Sequence, residues 1–362
     1  MLKQVSCTVM RGGTSKGLYF LASDLPADVE ERDQILLAVM GSPDIRQIDG
    51  MGGAHPLTSK VAIVAPSSRE DADVDYLFQQ VSVDRAEVSG NQNCGNILAG
   101  VGPFAIEQGL VSVDGDMTSV RIHMVNSGAL AIARVQTPDG IVEYEGETEI
   151  DGVPGAAAPI SLEFLDIAGS NCGALLPTGN ITDSVQGVEV SCIDNGMPVV
   201  LIAAASLGKT GYESPQELEE DGNLKSTLES IRLALGPMMN LDDVSSKTVP
   251  KMTLLAPARN GGSICTRSFI PHRAHEAIGV LAAVSTATGL MLPGSVAHQV
   301  AGGDVSLNSG ELIVEHPTGF FTVELEANAE GEEFELKRSA LLRTARKLMS
   351  GNIFYSHAMR RV

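Results

Sequence analysis

The chain has 362 residues, and 45 Asp and Glu against 25 Lys and Arg give it a formal charge of −20. This length suits two domains of about 150–200 residues each. A content of 43% apolar and 19% charged residues is ordinary for a folded protein and excludes wholesale disorder. Because so acidic a surface repels phosphate backbones and anionic lipid, we expect neither nucleic acid nor a membrane surface as a partner.

The distribution of apolar residues and cysteines predicts the cellular compartment of the protein. No run of about 18 apolar residues is present, so the sequence predicts no transmembrane helix, and its first residues lack the pattern of a signal peptide. The cysteines are scattered, odd in number and never in a C-x-x-C pair: Cys7, Cys94, Cys172, Cys192 and Cys265. This usage argues against a disulfide framework or a thiolate zinc site, and we expect a cytoplasmic protein.

Many short strand-like runs and two apolar helices, over 94–109 and 272–290, predict an α+β fold. The strand pattern indicates antiparallel pairing rather than β–α–β units. Both halves show strands, a polar loop, an apolar helix and a strand pair, which predicts a duplicated unit with a mostly antiparallel sheet wrapped around a central apolar helix. A Gly- and Pro-rich segment at 152–159 predicts a boundary between two domains, residues 1–150 and residues 151–336. The C-terminal segment 337–362 is a candidate to pack back into the first domain.

Cys94 is the first candidate catalytic residue. It follows the polar run 89–93 and directly precedes the first apolar helix, where unpaired amides and the helix dipole favour thiolate. A thiolate can remove a proton from carbon and a thiol can return one, while Gly95 and Asn96 offer amides to a substrate oxygen. The alternative is a small buried apolar residue, the common fate of an unpaired cysteine.

Lys60 is the second candidate, a lone cation at the start of the apolar strand-like run 61–64. Partial burial lowers the pKa of a lysine and can make it a base near neutral pH. The alternative is a solvated lysine at a strand end, and only pairing with Cys94 favours catalysis over it.

The run Arg11–Gly17 suggests a phosphate loop but lacks the G-x-x-x-x-G-K-[ST] spacing, and a strand-like segment follows it instead of a helix. We therefore exclude nucleotide binding. The hydroxyls of Thr14 and Ser15, together with amides and two cations, could hold substrate carboxylates. A plain hairpin turn is the equal alternative.

A third group of polar residues comprises Arg267, His272, Arg273 and His275. Pro271 suits a first helical turn, which predicts that the last three lie at the start of the second apolar helix. Arginines there would bind an anionic substrate. The spacing of His272 and His275 can bind a metal, but only Glu276 is near in sequence to complete the ligands, and we predict no metal site.

Cys94-Gly95-Asn96 opening an apolar helix, mirrored by a second helix in the other half, resembles the diaminopimelate-epimerase fold. This resemblance implies a cofactor-independent enzyme that exchanges a proton at carbon, for which such enzymes use one cysteine per domain. Arg267 stands as far ahead of His275 as the substrate arginine of these enzymes stands ahead of their second cysteine. His275 thus replaces that cysteine, which argues against symmetric two-thiol epimerisation.

Longer motifs are similar to those of the PrpF family and run nearly from end to end of the chain. They are Met10–Gly17, Gly41–Asp44, Gln47–Gly50, Thr58–Lys60, Gly90–Asn96, Leu176–Asn180 and Ile193–Pro198. That family includes methylaconitate isomerases, methylitaconate isomerases and 4-oxalomesaconate tautomerases, and the similarity is greatest to the last group.

The resemblance implies a cofactor-independent isomerase that shifts a proton between carbons of a small unsaturated tricarboxylate. The expected substrate is 4-oxalomesaconate, in the catabolism of aromatic acids such as gallate or protocatechuate. Lys60 and Cys94 would form the acid/base pair, Ser15 would lie beside the substrate, and the protein would be a homodimer. The alternatives are a methylaconitate or methylitaconate isomerase, a true epimerase, a cysteine hydrolase using Cys94 with His272 or His275, and a carboxylate-binding accessory protein.

Overall fold

A computed structural model describes residues 2–90, 94–303, 310–330 and 333–356. Among these residues the helices are Val29–Met40 (α1), Gly95–Leu98 (α2), Val101–Glu107 (α3), Pro215–Glu220 (α4), Gly222–Met238 (α5), Val280–Met291 (α6) and Val296–Val300 (α7). None of these helices has both the length and the hydrophobicity that a membrane crossing requires.

Short strands dominate, as the Val-, Ile- and Thr-rich runs predict. In chain order they are Lys3–Gly12 (β1), Ser15–Leu21 (β2), Lys60–Pro66 (β3), Val74–Val81 (β4), Val88–Ser89 (β5), Met117–Met124 (β6), Ala129–Gln136 (β7), Thr148–Glu149 (β8), Ala156–Ala157 (β9), Pro159–Leu165 (β10), Asp183–Val185 (β11), Val188–Asp194 (β12), Pro198–Ala203 (β13), Lys251–Ala256 (β14), Ile264–Ile270 (β15), Arg273–Ala274 (β16), Gly310–His316 (β17), Gly319–Glu330 (β18) and Glu333–Tyr355 (β19).

The chain divides into two units. The first comprises Met1–Phe164 with Leu342–Val362, and the second comprises Leu165–Leu341. The sequence placed the corresponding boundaries at residues 150 and 336.

The strands of the first unit pair in a closed ring. β1 pairs with β2 and β19, β2 with β3, β3 with β4, β4 with β6, and β6 with β7. β10 pairs with both β7 and β19 and thereby completes a barrel. α2 contacts β1, β2 and β3, while α3 contacts β3, β6 and β7. Residues 101–106 of α3 are all buried, so the helix shares the apolar core of these strands.

In the second unit, β12 pairs with β11 and β13, β13 with β14, β14 with β15, and β15 with β16 and β17. β18 pairs with β17 and with the first part of β19. α6 contacts β12, β13, β17 and β18, and residues 282–291 of this helix are buried. α5 is amphipathic and packs its apolar side chains, including Leu228 and Ile231, onto the strand core.

The sheets are mixed, because parallel pairs join β2 to β3, β4 to β6, β13 to β14 and β15 to β17. A parallel pair needs a long crossover connection, and each of these connections carries one or two of the helices α1 to α7. Most of the described strand pairs are antiparallel, as predicted, but the expectation that β–α–β connections are absent was wrong. Both units show the same succession of antiparallel and parallel pairs along the chain.

The first apolar helix is interrupted, contrary to the single helix predicted over 94–109. α2 ends at Leu98 and α3 begins at Val101. A Cβ at Gly100 would lie only 2.4 Å from the Tyr19 hydroxyl oxygen, and one at Gly102 would lie 2.9 Å from the Ala133 Cβ. Strand side chains therefore occupy the space that larger residues here would need, which makes glycine necessary at both positions.

The second apolar helix begins at Val280, not at residue 272. Pro271 lies in the turn between β15 and β16, and Ile270 pairs with Arg273 across that turn. The His275 amide then donates to the Ser268 carbonyl at 2.8 Å, which extends the hairpin. The residues after Pro271 therefore form a β-hairpin with β15, although the proline pattern predicted that they begin a helix.

Candidate active site

The turn between β1 and β2 packs directly against the start of α2. Gly13 has φ +48°, and its amide donates to the Thr344 carbonyl at 2.9 Å. A Cβ at Gly13 would lie 2.2 Å from Asn96 Oδ1, and one at Gly12 would lie 2.4 Å from the Asn96 carbonyl oxygen. The two glycines therefore permit the close approach of this hairpin to α2.

A side-chain hydrogen bond joins the two elements. Asn96 Nδ2 donates to Thr14 Oγ1 at 3.0 Å across 82 residues of sequence. Asn96 was expected to offer its amide to a substrate oxygen, but one of its N–H groups already binds Thr14. Ser15 is 2% exposed, and its Oγ has no hydrogen-bond partner among the described residues. A buried hydroxyl without a partner is costly, so this Oγ is available to bind a ligand oxygen.

Cys94 is half-buried and lies at the N-cap of α2, as the sequence predicts. Because α2 has only four residues, polar stabilisation of a thiolate must come from this single turn. The preceding residues Asn91, Gln92 and Asn93 lie outside the described residues.

Two buried tyrosines, which the sequence did not single out, hold the turn that Cys94 begins. The Tyr76 hydroxyl donates to the Cys94 carbonyl at 3.3 Å, and the Tyr19 hydroxyl donates to the Ile97 carbonyl at 2.6 Å. Burial raises the pKa of both phenols well above the usual value, and the nearby charge of Cys94 raises it further. Both tyrosines therefore stay protonated and act as hydrogen-bond donors to the backbone.

Lys60 is the first residue of β3 and is 7% exposed. Its Nζ donates to Gln80 Oε1 at 2.9 Å and lies 5.2 Å from the centroid of the Phe78 ring. The solvated strand-end alternative is excluded, since an amide oxygen and an aromatic face surround the ammonium group. Gln80 was not singled out by the sequence, because only the β3–β4 register places it opposite Lys60.

Gly17 of the β1–β2 hairpin contacts both the start of β3 and α2. It pairs with Lys60 in the parallel β2–β3 ladder. A Cβ at Gly17 would lie 2.7 Å from the Lys60 carbonyl oxygen and 3.0 Å from Ile97 Cδ1 of α2. The hairpin, the start of β3 and the helix that Cys94 begins are thus in direct contact.

The loop before Lys60 is fixed by the buried side chain of Gln47. Gln47 Oε1 accepts from the Ser59 hydroxyl and from the Ala54 amide, both at 2.8 Å. The Ser59 Oγ also lies 2.9 Å from the His55 carbonyl oxygen, so its one proton is shared between the two acceptors. The Gln47–Gly50 motif therefore acts by anchoring the residue that precedes Lys60.

Two arginines add positive charge beside the hairpin. Arg11 donates to the Gly13 carbonyl at 3.0 Å and to Thr344 Oγ1 at 2.9 Å. Arg343 is almost fully buried, donates to the Leu342 carbonyl at 2.8 Å, and has its pKa lowered by burial to about 9. The positive potential of such groups favours an anionic ligand within an acidic protein.

Arg267 lies in β15 of the second unit and is largely buried. Its guanidinium donates to the Thr266 carbonyl at 2.8 Å and to the Glu213 carbonyl, and Nη1 lies 3.4 Å from Cys265 Sγ. Much of its donor capacity is therefore used by the protein itself.

His272, Arg273 and His275 do not begin a helix, and this prediction was wrong. The His272 side chain is 57% exposed, with Nδ1 at 3.6 Å from Glu229 Oε2 of α5. The hydrogen bond from Lys225 lowers the pKa of Glu219 in α4, and the charge of the exposed Arg273 adds a smaller effect in the same direction. His275 Nδ1 accepts from the Ala277 amide at 2.8 Å, and burial together with the charge of Lys251 lowers the pKa of His275. Among the described residues, no three His, Cys, Asp or Glu side chains are grouped to hold a metal ion.

Comparison with known proteins identifies the family and the fold. The PrpF protein model matches residues 2–356. A 4-oxalomesaconate tautomerase of Pseudomonas putida is 60% identical over 351 residues, which are 96% of this chain and 95% of the relative.

A solved methylitaconate-delta-isomerase superposes with a TM-score of 0.88 at 34% identity, covering 98% of this chain and 96% of the other. A hydroxyproline epimerase from Agrobacterium vitis superposes with a TM-score of 0.51 at 13% identity, covering 97% and 92%. The latter likeness concerns the fold alone and confirms its epimerase-like class. This chain is a member of the PrpF family.

Proposed function

We propose that this protein is a 4-oxalomesaconate tautomerase in which Lys60 and Cys94 form the acid/base pair. The tautomerase of Pseudomonas putida, at 60% identity over 96% of the chain, supports the substrate. A role in the breakdown of aromatic acids follows from that substrate.

The observation that carries the proposal is the contact of three motifs at Gly17. Lys60 pairs with Gly17 in the sheet, and Ile97 of the helix that Cys94 begins packs against the same glycine. The buried Ser15 hydroxyl lies on the same strand. An amine, a thiol and an available hydroxyl therefore belong to adjoining elements of one unit.

The proposed reaction is a 1,3-proton shift. One of Lys60 and Cys94 removes a proton from a carbon made acidic by adjacent keto and carboxylate groups, and the other delivers a proton to the far end of the conjugated system. The negative charge that develops resides on the enolate oxygen, so the enzyme must chiefly stabilise this oxygen.

The oxygens of the substrate have several proposed ligands. In the first unit these are the hydroxyls of Thr14 and Ser15 and the amides of Gly95 and Asn96. Arg267, His272, Arg273 and His275 belong to the second unit and stay candidates from the sequence: the resemblance points to Arg267 and His275, whereas His272 and Arg273 were predicted from a helix start that the structure does not contain.

The remaining parts of the proposal concern organisation. We propose that the two units are copies of one α+β unit, each with a sheet around an apolar helix, which the matching succession of strand pairs supports. The family resemblance supports a cofactor-independent homodimer. A cytoplasmic location is supported by five cysteines that form no disulfides.

The test is proton NMR in deuterated water with a panel of unsaturated tricarboxylates and dicarboxylates. We expect 4-oxalomesaconate to incorporate deuterium while its keto–enol or double-bond position changes. Preferred turnover of methylitaconate would instead favour the activity named for the solved relative at 34% identity. Deuterium entering a stereocentre without movement of a double bond, an acyl-enzyme burst with an ester, or binding without exchange would each overturn the proposal.

A further inference from the structure

We propose that Gln80 is a positioning residue that aims the Lys60 amine and sets its proton affinity; this inference rests on the proposed function. Gln80 Oε1 accepts the hydrogen bond from Lys60 Nζ at 2.9 Å. Lys60 and Gln80 are paired residues in the antiparallel β3–β4 ladder, so the backbone fixes the separation of the two side chains.

The other end of the Gln80 amide fixes its orientation. Nε2 donates to the Ser59 carbonyl at 3.0 Å and to the Pro56 carbonyl at 3.1 Å. Since a carbonyl oxygen only accepts hydrogen bonds, the NH2 group must face these two carbonyls and Oε1 must face Lys60. The backbone carbonyls of the loop before Lys60 therefore hold the Gln80 amide in the orientation in which Oε1 accepts the hydrogen bond from Lys60.

The aromatic side of the Lys60 environment is fixed in the same way. Phe78, whose ring faces Nζ, has its backbone clamped by Asn126, which accepts from the Phe78 amide at 2.8 Å and donates to the Phe78 carbonyl at 2.9 Å. Neither the ring nor the Gln80 amide carries a formal charge.

This neutrality has a chemical consequence. A carboxylate beside a lysine favours the ammonium form and raises its pKa, which hinders release of the proton. Among the described residues, no Asp or Glu forms an ion pair with Lys60. Gln80 therefore holds the amine in place while opposing its deprotonation less than a carboxylate would, as a group that exchanges protons with substrate requires.

The second unit lacks this arrangement at the corresponding position. Lys251 is the first residue of β14, and the β14–β15 ladder pairs Met252 with Phe269, so that Ile270 follows where the first unit has Gln80. Ile270 has no acceptor, and Lys251 Nζ donates to the Thr248 carbonyl instead. Of the two lysines that begin these strands, Lys60 therefore has a side-chain hydrogen-bond acceptor opposite it in the sheet, and Lys251 does not.

The test compares the pH dependence of kcat/KM for Gln80→Glu and Gln80→Leu. Both variants lose the donors to Ser59 and Pro56, but only Glu keeps an acceptor and adds a negative charge. One limb of the kcat/KM–pH profile should follow the ionisation of Lys60. We expect this limb to move to higher pH by at least about one unit in Gln80→Glu, because the added carboxylate favours the ammonium form. It should move to lower pH by at least about one unit in Gln80→Leu, because loss of the acceptor disfavours the ammonium form. We also expect kcat to fall at least about tenfold in Gln80→Leu, with KM changed less.

Gln299→Glu, on the exposed side of α7, adds the same charge as a control and should leave the profile unchanged. Unshifted profiles in both Gln80 variants, or shifts in the same direction, would overturn the inference, because a merely structural role cannot produce opposite shifts. If Gln80→Leu does not fold, Gln80→Met, which also lacks the acceptor, replaces it in the comparison. An active Lys60→Met variant would overturn the proposed mechanism itself, whereas an inactive one with unshifted Gln80 variants would overturn only the role of Gln80.

Discussion

The two units place a lysine at the same point of the same succession of strands but surround it differently. Lys60 begins β3 and Lys251 begins β14, and each strand follows a helical crossover and pairs in parallel with the strand before that crossover. Lys60 faces the Gln80 amide and the Phe78 ring, whereas Lys251 contacts the backbone carbonyl of Thr248. Similar topology therefore does not supply similar chemistry.

The next connection differs as well. In the first unit, Cys94 immediately precedes α2, and the Tyr76 hydroxyl binds its carbonyl. In the second unit, β16 forms a hairpin with β15, and Gly279 without a capping side chain precedes α6. Both of the groups proposed for proton transfer thus belong to the first unit, and the corresponding positions of the second unit differ from them.

Replacing cysteines that share an Asn-Cys-Gly sequence tests this comparison with the largest expected effect. Cys94→Ala should lower kcat by at least about a thousandfold, because it removes one of two proton-transferring groups. Cys172→Ala should stay within about threefold, since burial and the nearby Asp194 raise the Cys172 pKa to about 12 and keep it a thiol. Steady-state kinetics with circular dichroism as a fold control measures both. Near-normal turnover in Cys94→Ala would remove this residue from the mechanism.

The two strand-initial lysines provide the next test. Lys60→Met should lower kcat by about a hundredfold to ten-thousandfold, while Lys251→Met should remain within about threefold. Methionine keeps the apolar stem in both strands, so thermal unfolding should change little. Equal losses in the two variants would contradict the assignment of proton transfer to the first unit.

Two glycines in corresponding turns should differ more in kinetics than in stability. Gly13 has φ +48° and Gly196 has φ +83°, so backbone strain alone should cost Ala at either position about 1–2 kcal/mol of unfolding free energy. Only in Gly13→Ala would the new Cβ lie 2.2 Å from Asn96 Oδ1, against 3.2 Å from Ile167 Cδ1 in Gly196→Ala.

We therefore expect kcat/KM to fall more than about tenfold in Gly13→Ala and less than about threefold in Gly196→Ala. Chemical denaturation and initial rates measured on the same preparations separate the two effects. If Gly13→Ala matched Gly196→Ala in rate, the contact between the hairpin and α2 would have no part in catalysis.

The smallest effect concerns stability of the second unit. Arg232 is fully buried and binds Glu229 through Nε at 2.7 Å, and this arginine holds the pKa of Glu229 below its usual value. Glu229→Gln should therefore lower the unfolding free energy by about 1–3 kcal/mol at pH 7. Glu145→Gln, which breaks an exposed pair with Arg346, should cost less than about 1 kcal/mol.

The pH dependence of the Glu229 contribution follows from the same shift. A carboxyl whose folded-state pKa is lowered stabilises the protein above its unfolded pKa of about 4.3. The difference between wild type and Glu229→Gln should thus be full near pH 7 and shrink as the pH falls through the folded pKa. Denaturation at several pH values measures it, and a difference that stayed constant down to pH 3 would contradict the ion-pair explanation.

Local patterns in the sequence predicted the chemical groups and the class of fold. The polar run that ends at Cys94-Gly95-Asn96 predicted an N-cap, and the structure confirms that Cys94 precedes a helix. The alternation of short apolar runs with turns predicted a strand-rich α+β protein. Such features depend on residues close together in the chain, whose conformational preferences are expressed locally.

The errors arose where strand pairing or tertiary packing decided the conformation. Pro271 and its neighbours have the pattern of a helix start, but pairing with β15 makes them a hairpin. Tyr19 occupies the space that a Cβ at Gly100 would need, which the sequence pattern of the predicted helix does not show. The hairpin pairing is local, but a proline-at-N1 pattern does not distinguish it from a helix start, whereas the contact of Tyr19 with Gly100 joins segments far apart in sequence.

The sequence by itself therefore determined the two candidate groups for proton transfer, Lys60 and Cys94, and the strand-rich class of the fold. Only the tertiary structure decided what surrounds them, because Gln80 faces Lys60 through the register of β3 with β4 and Thr14 reaches Asn96 through the packing of a hairpin on α2. Register and packing depend on backbone hydrogen bonds and steric fit between residues far apart in the chain, which no short motif contains.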